Sequence, residues 1–98
     1  MKIKINKKNI EVKCSIRSYI VFETLTQKPF AISNTTDWYL FVYSCIMASN
    51  PDLNLTFDSF LDLVDGNKKE YIEVSQYLTS MLEVEKQYIE EVEGSKKK

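Results

Sequence analysis

A mainly α-helical domain that opens with a β-hairpin, α+β by strict count, is the fold class this sequence predicts. Three observations predict it. Residues 1–13 alternate apolar and polar about a polar turn, and later apolar residues recur every three or four positions. Glycine and proline are scarce, two of each in 98 residues, which favours long regular elements over loops. A chain of this length makes one domain with one core. The expected partition is a single domain over 1–93, with the hairpin at 1–13 and a compact bundle of about four helices at 15–93, then a disordered basic tail at 94–98.

The hairpin joins Lys2 to Ile5 with Ile10 to Lys13 across Asn6-Lys7-Lys8-Asn9. Ile3 and Ile5 alternate with Lys2 and Lys4, and Ile10 and Val12 with Glu11 and Lys13, which gives one apolar face. A lone two-stranded ribbon is marginal in water, so that face must pack on helices or on another protein.

The first helix is read from Ser15, whose hydroxyl can cap the amide of Ser18. Ile16, Tyr19, Ile20 and Leu25 supply its apolar side, and Pro29 ends it. Lys28 to Asn34 follows as a loop, with Phe30 and Ile32 as plugs into the core. Thr35 or Thr36 caps the second helix, and Asp37 in its first turn favours the helix dipole. From Trp38 to Ala48 only Ser44 is clearly polar, the mark of a helix surrounded by protein. Trp38, Leu40, Phe41 and Ile46 are expected inside.

Asn50-Pro51 stops that helix. Thr56 then caps a third, whose Phe57, Phe60, Leu61 and Val64 form a stripe facing the second. Gly66 is read as a left-handed stop. Asn67, with Glu70 three positions on, caps the last helix, which is expected to end near Val92. Its apolar seam is Tyr71, Val74, Leu78, Met81, Tyr88 and Val92. A flanking set, Ile72, Tyr77, Leu82, Val84 and Ile89, makes the apolar surface wider than one seam requires.

Catalysis is not expected, and no catalytic, cofactor-binding or metal-binding residue is assigned. The chain has no histidine, the commonest general base and transition-metal ligand. Cys14 and Cys45 have no local cysteine partner for zinc. No glycine-rich phosphate loop exists, since Gly66 and Gly94 are the only glycines. Asp58, Asp62 and Asp65 lie at helical spacing, which does not match the alternating ligands of a calcium loop. Neither a cofactor nor a small-molecule substrate is implied.

A net charge of −1 gives no basic field for nucleic acid. A helix-turn-helix reading of Thr56 to Leu82 also fails, because its recognition helix, which is expected to run on to near Val92, carries more Glu than Lys. The start shows no signal peptide. As a helix, Trp38 to Ala48 would span only about 16 Å, against ~30 Å of hydrocarbon core, so no membrane anchor is expected. The two cysteines then fit a reduced cytoplasmic protein.

The charge is unevenly placed. Lys2, Lys4, Lys7, Lys8, Lys13 and Arg17 face a lone Glu11 in the first seventeen residues, while Asp52 to Glu93 is mostly acidic. Such polarity suits head-to-tail association or a charged partner; the plain alternative is a solvated hairpin and a solvated helix face. Tyrosines at helical spacing have two readings as well, core edge with a wet hydroxyl or a partner-binding stripe. The candidate partner-binding residues are Ile3, Ile5, Tyr71, Tyr77, Leu78, Met81 and Tyr88, and a homo-oligomer through the hairpin or the last helix is expected.

The run Lys2-Ile3-Lys4-Ile5, the polar turn, Ile10-Glu11-Val12-Lys13 and then Ser15-Ile16-Arg17-Ser18-Tyr19-Ile20-Val21-Phe22-Glu23 resembles the start of the tail assembly chaperones of tailed bacteriophages and prophages. Ile46-Met47-Ala48-Ser49-Asn50-Pro51-Asp52 and Leu55-Thr56-Phe57-Asp58-Ser59-Phe60-Leu61-Asp62 resemble the second half of that pattern. The resemblance covers residues 1–66. It departs where members often place Gly after the first helix and this chain has Gln27.

The resemblance implies a non-enzymatic helper in the bacterial host cytoplasm, absent from the mature virion, that binds the tape measure protein and contacts the tail tube protein. It also implies that Lys96-Lys97-Lys98 marks a slippage site giving a longer form; a plain solubilising tail is the alternative. A small phage-derived adaptor or inhibitor that occludes a host protein is the competing function.

Overall fold

The computed structural model describes the backbone of residues 1–5 and 7–96 and the side chains of 1–4 and 7–84. The elements run β1 (Lys2–Ile5), β2 (Lys8–Glu11), α1 (Ile16–Thr26), α2 (Thr35–Ser49), α3 (Phe57–Gly66) and α4 (Lys68–Lys96). This is the hairpin followed by four helices that the sequence predicts. The fourth helix runs beyond Val92 and includes Gly94, where a disordered tail was expected.

The strands pair antiparallel with Ile3 opposite Ile10 and Ile5 opposite Lys8. The reversal is tighter than the expected turn, and β2 starts at Lys8 instead of Ile10. Lys7 takes a φ of 68°, the left-handed conformation that tight hairpin turns use. Ile3, Ile10 and Val12 are 7, 4 and 0% exposed, so the ribbon's apolar face is spent on the protein's own core.

Asn50 fixes the ribbon to the bundle. Its Oδ1 accepts from the Glu11 amide at 3.3 Å and its Nδ2 donates to the Glu11 carbonyl at 2.7 Å. The amide side chain thus serves the outer edge of β2 as a neighbouring strand would. The same Nδ2 reaches the Ile46 carbonyl at 2.8 Å, which ties that edge to the end of α2.

At α1 the expected cap is present. Ser15 Oγ accepts from the Ser18 amide at 3.3 Å, and Ser18 Oγ accepts from the Ser15 amide at 3.2 Å, a reciprocal capping box. Ser18 Oγ also donates to the Lys13 carbonyl at 3.1 Å. These bonds fix the rotation of α1, and the expected apolar side is corrected. Ser18 and Phe22 are buried, whereas Ile16 and Ile20 are 75 and 56% exposed and Leu25 is half exposed. Gln27 ends the helix in the left-handed region at φ 59°.

In the loop, Phe30 packs against the core as expected, whereas Ile32 is 37% exposed and is not part of that packing. Asn34, not Thr35 or Thr36, caps α2: its Oδ1 accepts from the Asp37 amide at 2.8 Å. Asp37 is buried and accepts from the Ser33 amide and hydroxyl at 3.1 and 2.9 Å and from Lys28 Nζ at 3.3 Å. Chiefly the two Ser33 bonds, then Lys28, hold its carboxyl below the usual 3.8, against the opposing effect of burial. Its stabilising effect is present above that usual value and is lost as pH falls through the lowered one.

Two aromatic clusters flank α2 and account for its apolar circumference. On one side Phe41 meets Phe22, Phe30, Tyr19 and Trp38 at ring separations of 5.2–6.4 Å. On the other, Tyr43 packs on Phe57 and Phe60 at 5.5 Å, and Phe60 on Tyr71 at 5.7 Å. Phe41 and Ile46 are fully enclosed, as expected; Trp38 and Leu40 are only partly buried.

Thr56 caps α3 through the Ser59 amide at 3.1 Å, and Phe60 and Val64 form its buried stripe. Gly66 is helical and has no positive φ, so it is not the expected left-handed stop. Asn67 makes the junction: its side chain donates back to the Leu63 carbonyl at 3.0 Å and its own carbonyl accepts from the Tyr71 amide at 3.2 Å.

Candidate functional site

Among the described residues no cluster of three or more metal-ligating side chains occurs. Asp58, Asp62 and Asp65 are exposed on α3. Among the described residues no helix is long and apolar enough to cross a membrane. The exposed apolar side chains and the open groove that remain as candidate sites lie on the surfaces of α4 and α1.

The partner-binding candidates separate into two groups. Ile3, Tyr71 and Leu78 are 7, 4 and 0% exposed; they hold the hairpin and α4 to the bundle and are closed to a partner. Tyr77 and Met81 are half-buried. Ile5 and Tyr88 lie outside the described side chains.

Helical spacing extends the second group to Val84. Tyr77, Met81 and Val84 stand at i, i+4 and i+7 on one flank of α4, and Val84 is 58% exposed. The core-facing seam of Tyr71, Val74 and Leu78 runs beside them.

The opposite flank of α4 forms the wall of an open groove of about 660 Å³. Tyr39 of α2 and Asp65 of α3 stand across from Lys68, Ile72, Gln76 and Glu83 of α4. The groove holds its shape because Trp38 Nε1 donates to Ser75 Oγ at 3.2 Å, bridging α2 and α4. Sequence reasoning missed it, since Tyr39, Asp65 and Ile72 converge only when three helices pack.

Two tyrosine hydroxyls lie inside the bundle, that of Tyr43 on α2 and that of Tyr71 on α4. Tyr43 donates to the Leu55 carbonyl, and burial raises its pKa. Tyr71 Oη is buried without a hydrogen-bond partner. Burial, and secondarily the Glu70 carboxylate, push it up to about 12. Of the two readings of the tyrosines, Tyr71 follows the core one, but with its hydroxyl dry.

Ile16 and Ile20, expected in the core, emerge as a surface feature. They lie one turn apart on the outer face of α1 beside exposed Lys13 and Arg17. The sequence signal that would have found them is Ser18, which the capping box draws inward. No protein-family model, curated protein or solved structure matches the chain.

Proposed function

We propose that this chain is a non-enzymatic tail assembly chaperone of a tailed bacteriophage or prophage. It acts in the host cytoplasm, holds the tape measure protein while the tail is built, and is left out of the finished particle. The observation that carries the reading is the apolar flank Tyr77, Met81 and Val84 on a 29-residue helix. A protein that holds a long helical client needs an apolar strip presented on a rigid rod, with charge around it for solubility. Glu70 and Glu73 are exposed on the same helix. The hairpin-to-helix order within residues 1–66 supports the reading through its resemblance to that family.

The test is co-expression with a tape measure protein of the phage or prophage that encodes the chain, reading the soluble yield of the client and its co-purification. Met81→Glu with Val84→Glu should abolish both while leaving the chaperone folded. A client equally soluble with the parent, with the double variant and with neither overturns the proposal.

A further inference from the structure

We infer that the free edge of β1 is a docking site for an extended segment of another protein, one that alternates acidic with apolar side chains and joins the hairpin as a third strand. The chaperone reading plays no part in this, because that reading uses the flank of α4.

The two edges of the ribbon differ. Met1 and Val12 exchange both backbone hydrogen bonds, at 2.7 and 3.2 Å, and Ile3 stands opposite Ile10. In an antiparallel pair such bonded residues alternate with residues whose amide and carbonyl point away from the partner strand. Asn9 and Glu11 therefore face outward from β2, and Lys2 and Lys4 face outward from β1. Glu11 is served, since Asn50 meets both its amide and its carbonyl. At β1 there is no such cover. The sheet has only these two strands, and among the described residues nothing bonds to the outward backbone groups of Lys2 and Lys4. Those groups are the template on which an added strand pairs.

Charge selects the occupant. Lys2 and Lys4 are exposed, on the face opposite the one that buries Ile3 and Ile10. Lys7 and Lys8 are exposed beside them at the turn. Glu11, the only carboxylate in the first seventeen residues, already meets the Met1 amino group at 3.7 Å and Lys13 at 3.9 Å. Lys2 and Lys4 thus have no counter-charge among the described residues. A second copy offering its own β1 would set lysine against lysine, which is unfavourable across strands. A strand with Glu or Asp opposite Lys2 and Lys4 turns the same side chains into cross-strand ion pairs. The residue between those two acids points to the Ile3 side, where an apolar side chain continues the face that packs on the core. Three strands are also more stable than the lone ribbon.

The probe is a capped synthetic peptide, Thr-Glu-Val-Glu-Val-Thr, titrated into the full chain and followed by backbone amide NMR. Binding with a Kd of about 0.1–1 mM is expected. The Lys2 and Lys4 amides should shift, and their exchange with solvent should slow ~5-fold or more at saturation. Two controls separate strand addition from charge attraction. The same peptide N-methylated at both glutamates keeps its charge but cannot donate to the Lys2 and Lys4 carbonyls, and should bind ~10-fold or more weakly. Lys2→Glu with Lys4→Glu, both exposed positions, should lose the acidic peptide and bind its lysine counterpart, with circular dichroism as the control for folding. No binding of the acidic peptide, equal binding of the N-methylated one, or shifts confined to residues outside the hairpin each overturn the inference. So do Lys2 and Lys4 shifts that grow with protein concentration alone, which would make a second copy the occupant.

Discussion

Helices α1 and α2 pack along each other, yet they use their apolar residues in opposite ways. In α2 the enclosed positions run from Phe41 to Ile46, with Ser44 satisfied by the Leu40 carbonyl at 2.7 Å. In α1 a serine and a phenylalanine face inward, while Ile16 and Ile20 face water. The difference teaches that apolar content decides a helix's orientation only when nothing more directional competes. At α2 aromatic clusters meet the helix on both sides, so its apolar residues are enclosed whichever way its polar bonds turn it. At α1 the capping box and the Lys13 carbonyl fix Ser18 inside, and once Ser18 and Phe22 are placed the helical period sends Ile16 and Ile20 outward.

The largest expected effect breaks the α2 side of this contrast. Phe41 is fully buried at the centre of its cluster, and Phe41→Ala should cost ~3–5 kcal/mol, a large part of a total of about 5–15 kcal/mol. Ile20→Ala on α1 should change stability by less than about 0.5 kcal/mol. Urea denaturation of both variants checks the pair, and equal losses would mean that Ile20 is inside.

Ser18→Ala probes what orients α1. It removes the acceptor for the Ser15 amide and the donor to Lys13, and ~1–2 kcal/mol should be lost. If the substitution is neutral in thermal melts, the polar bonds do not set the rotation of α1.

Smaller and opposite in sign is Gln27→Gly at the end of α1. A non-glycine residue at φ 59° carries a conformational cost that glycine avoids, partly offset by greater chain entropy when unfolded. A gain of ~0.5–1 kcal/mol is expected, read as a raised denaturation midpoint. A loss would show that the 2.6 Å bond from Gln27 Nε2 to the Thr24 carbonyl outweighs the backbone strain.

Tyr71→Phe should have the least effect near neutral pH, the reverse of Ser18→Ala, since the buried hydroxyl it deletes has no partner to leave unsatisfied. Its signature lies in alkali. The unfolded tyrosine ionises near 10.0 and the folded one at about 12. The native state therefore holds the proton longer, and stability falls as pH rises across that interval. Stability curves at rising pH should show a shallower decline in Tyr71→Phe than in the parent; parallel declines would place the alkaline loss on another group.

What the sequence determined was local. Alternation around Ile3 and Ile10, the caps at Ser15 and Thr56 and the boundaries near Pro29 and Pro51 depend on neighbours a few positions apart. They were legible, and the order of elements followed from them. Tyr77 and Met81 are half open, but spacing could not tell them from Tyr71 and Leu78, which the core consumes. Only the tertiary structure decided that division, along with the Asn50 clamp on Glu11 across 39 positions, the outward turn of Ile16 and Ile20, and the groove between Tyr39, Asp65 and Ile72. The physical reason is that a residue's period fixes which neighbours share its face, whereas which face is covered depends on helices that meet it from distant parts of the chain.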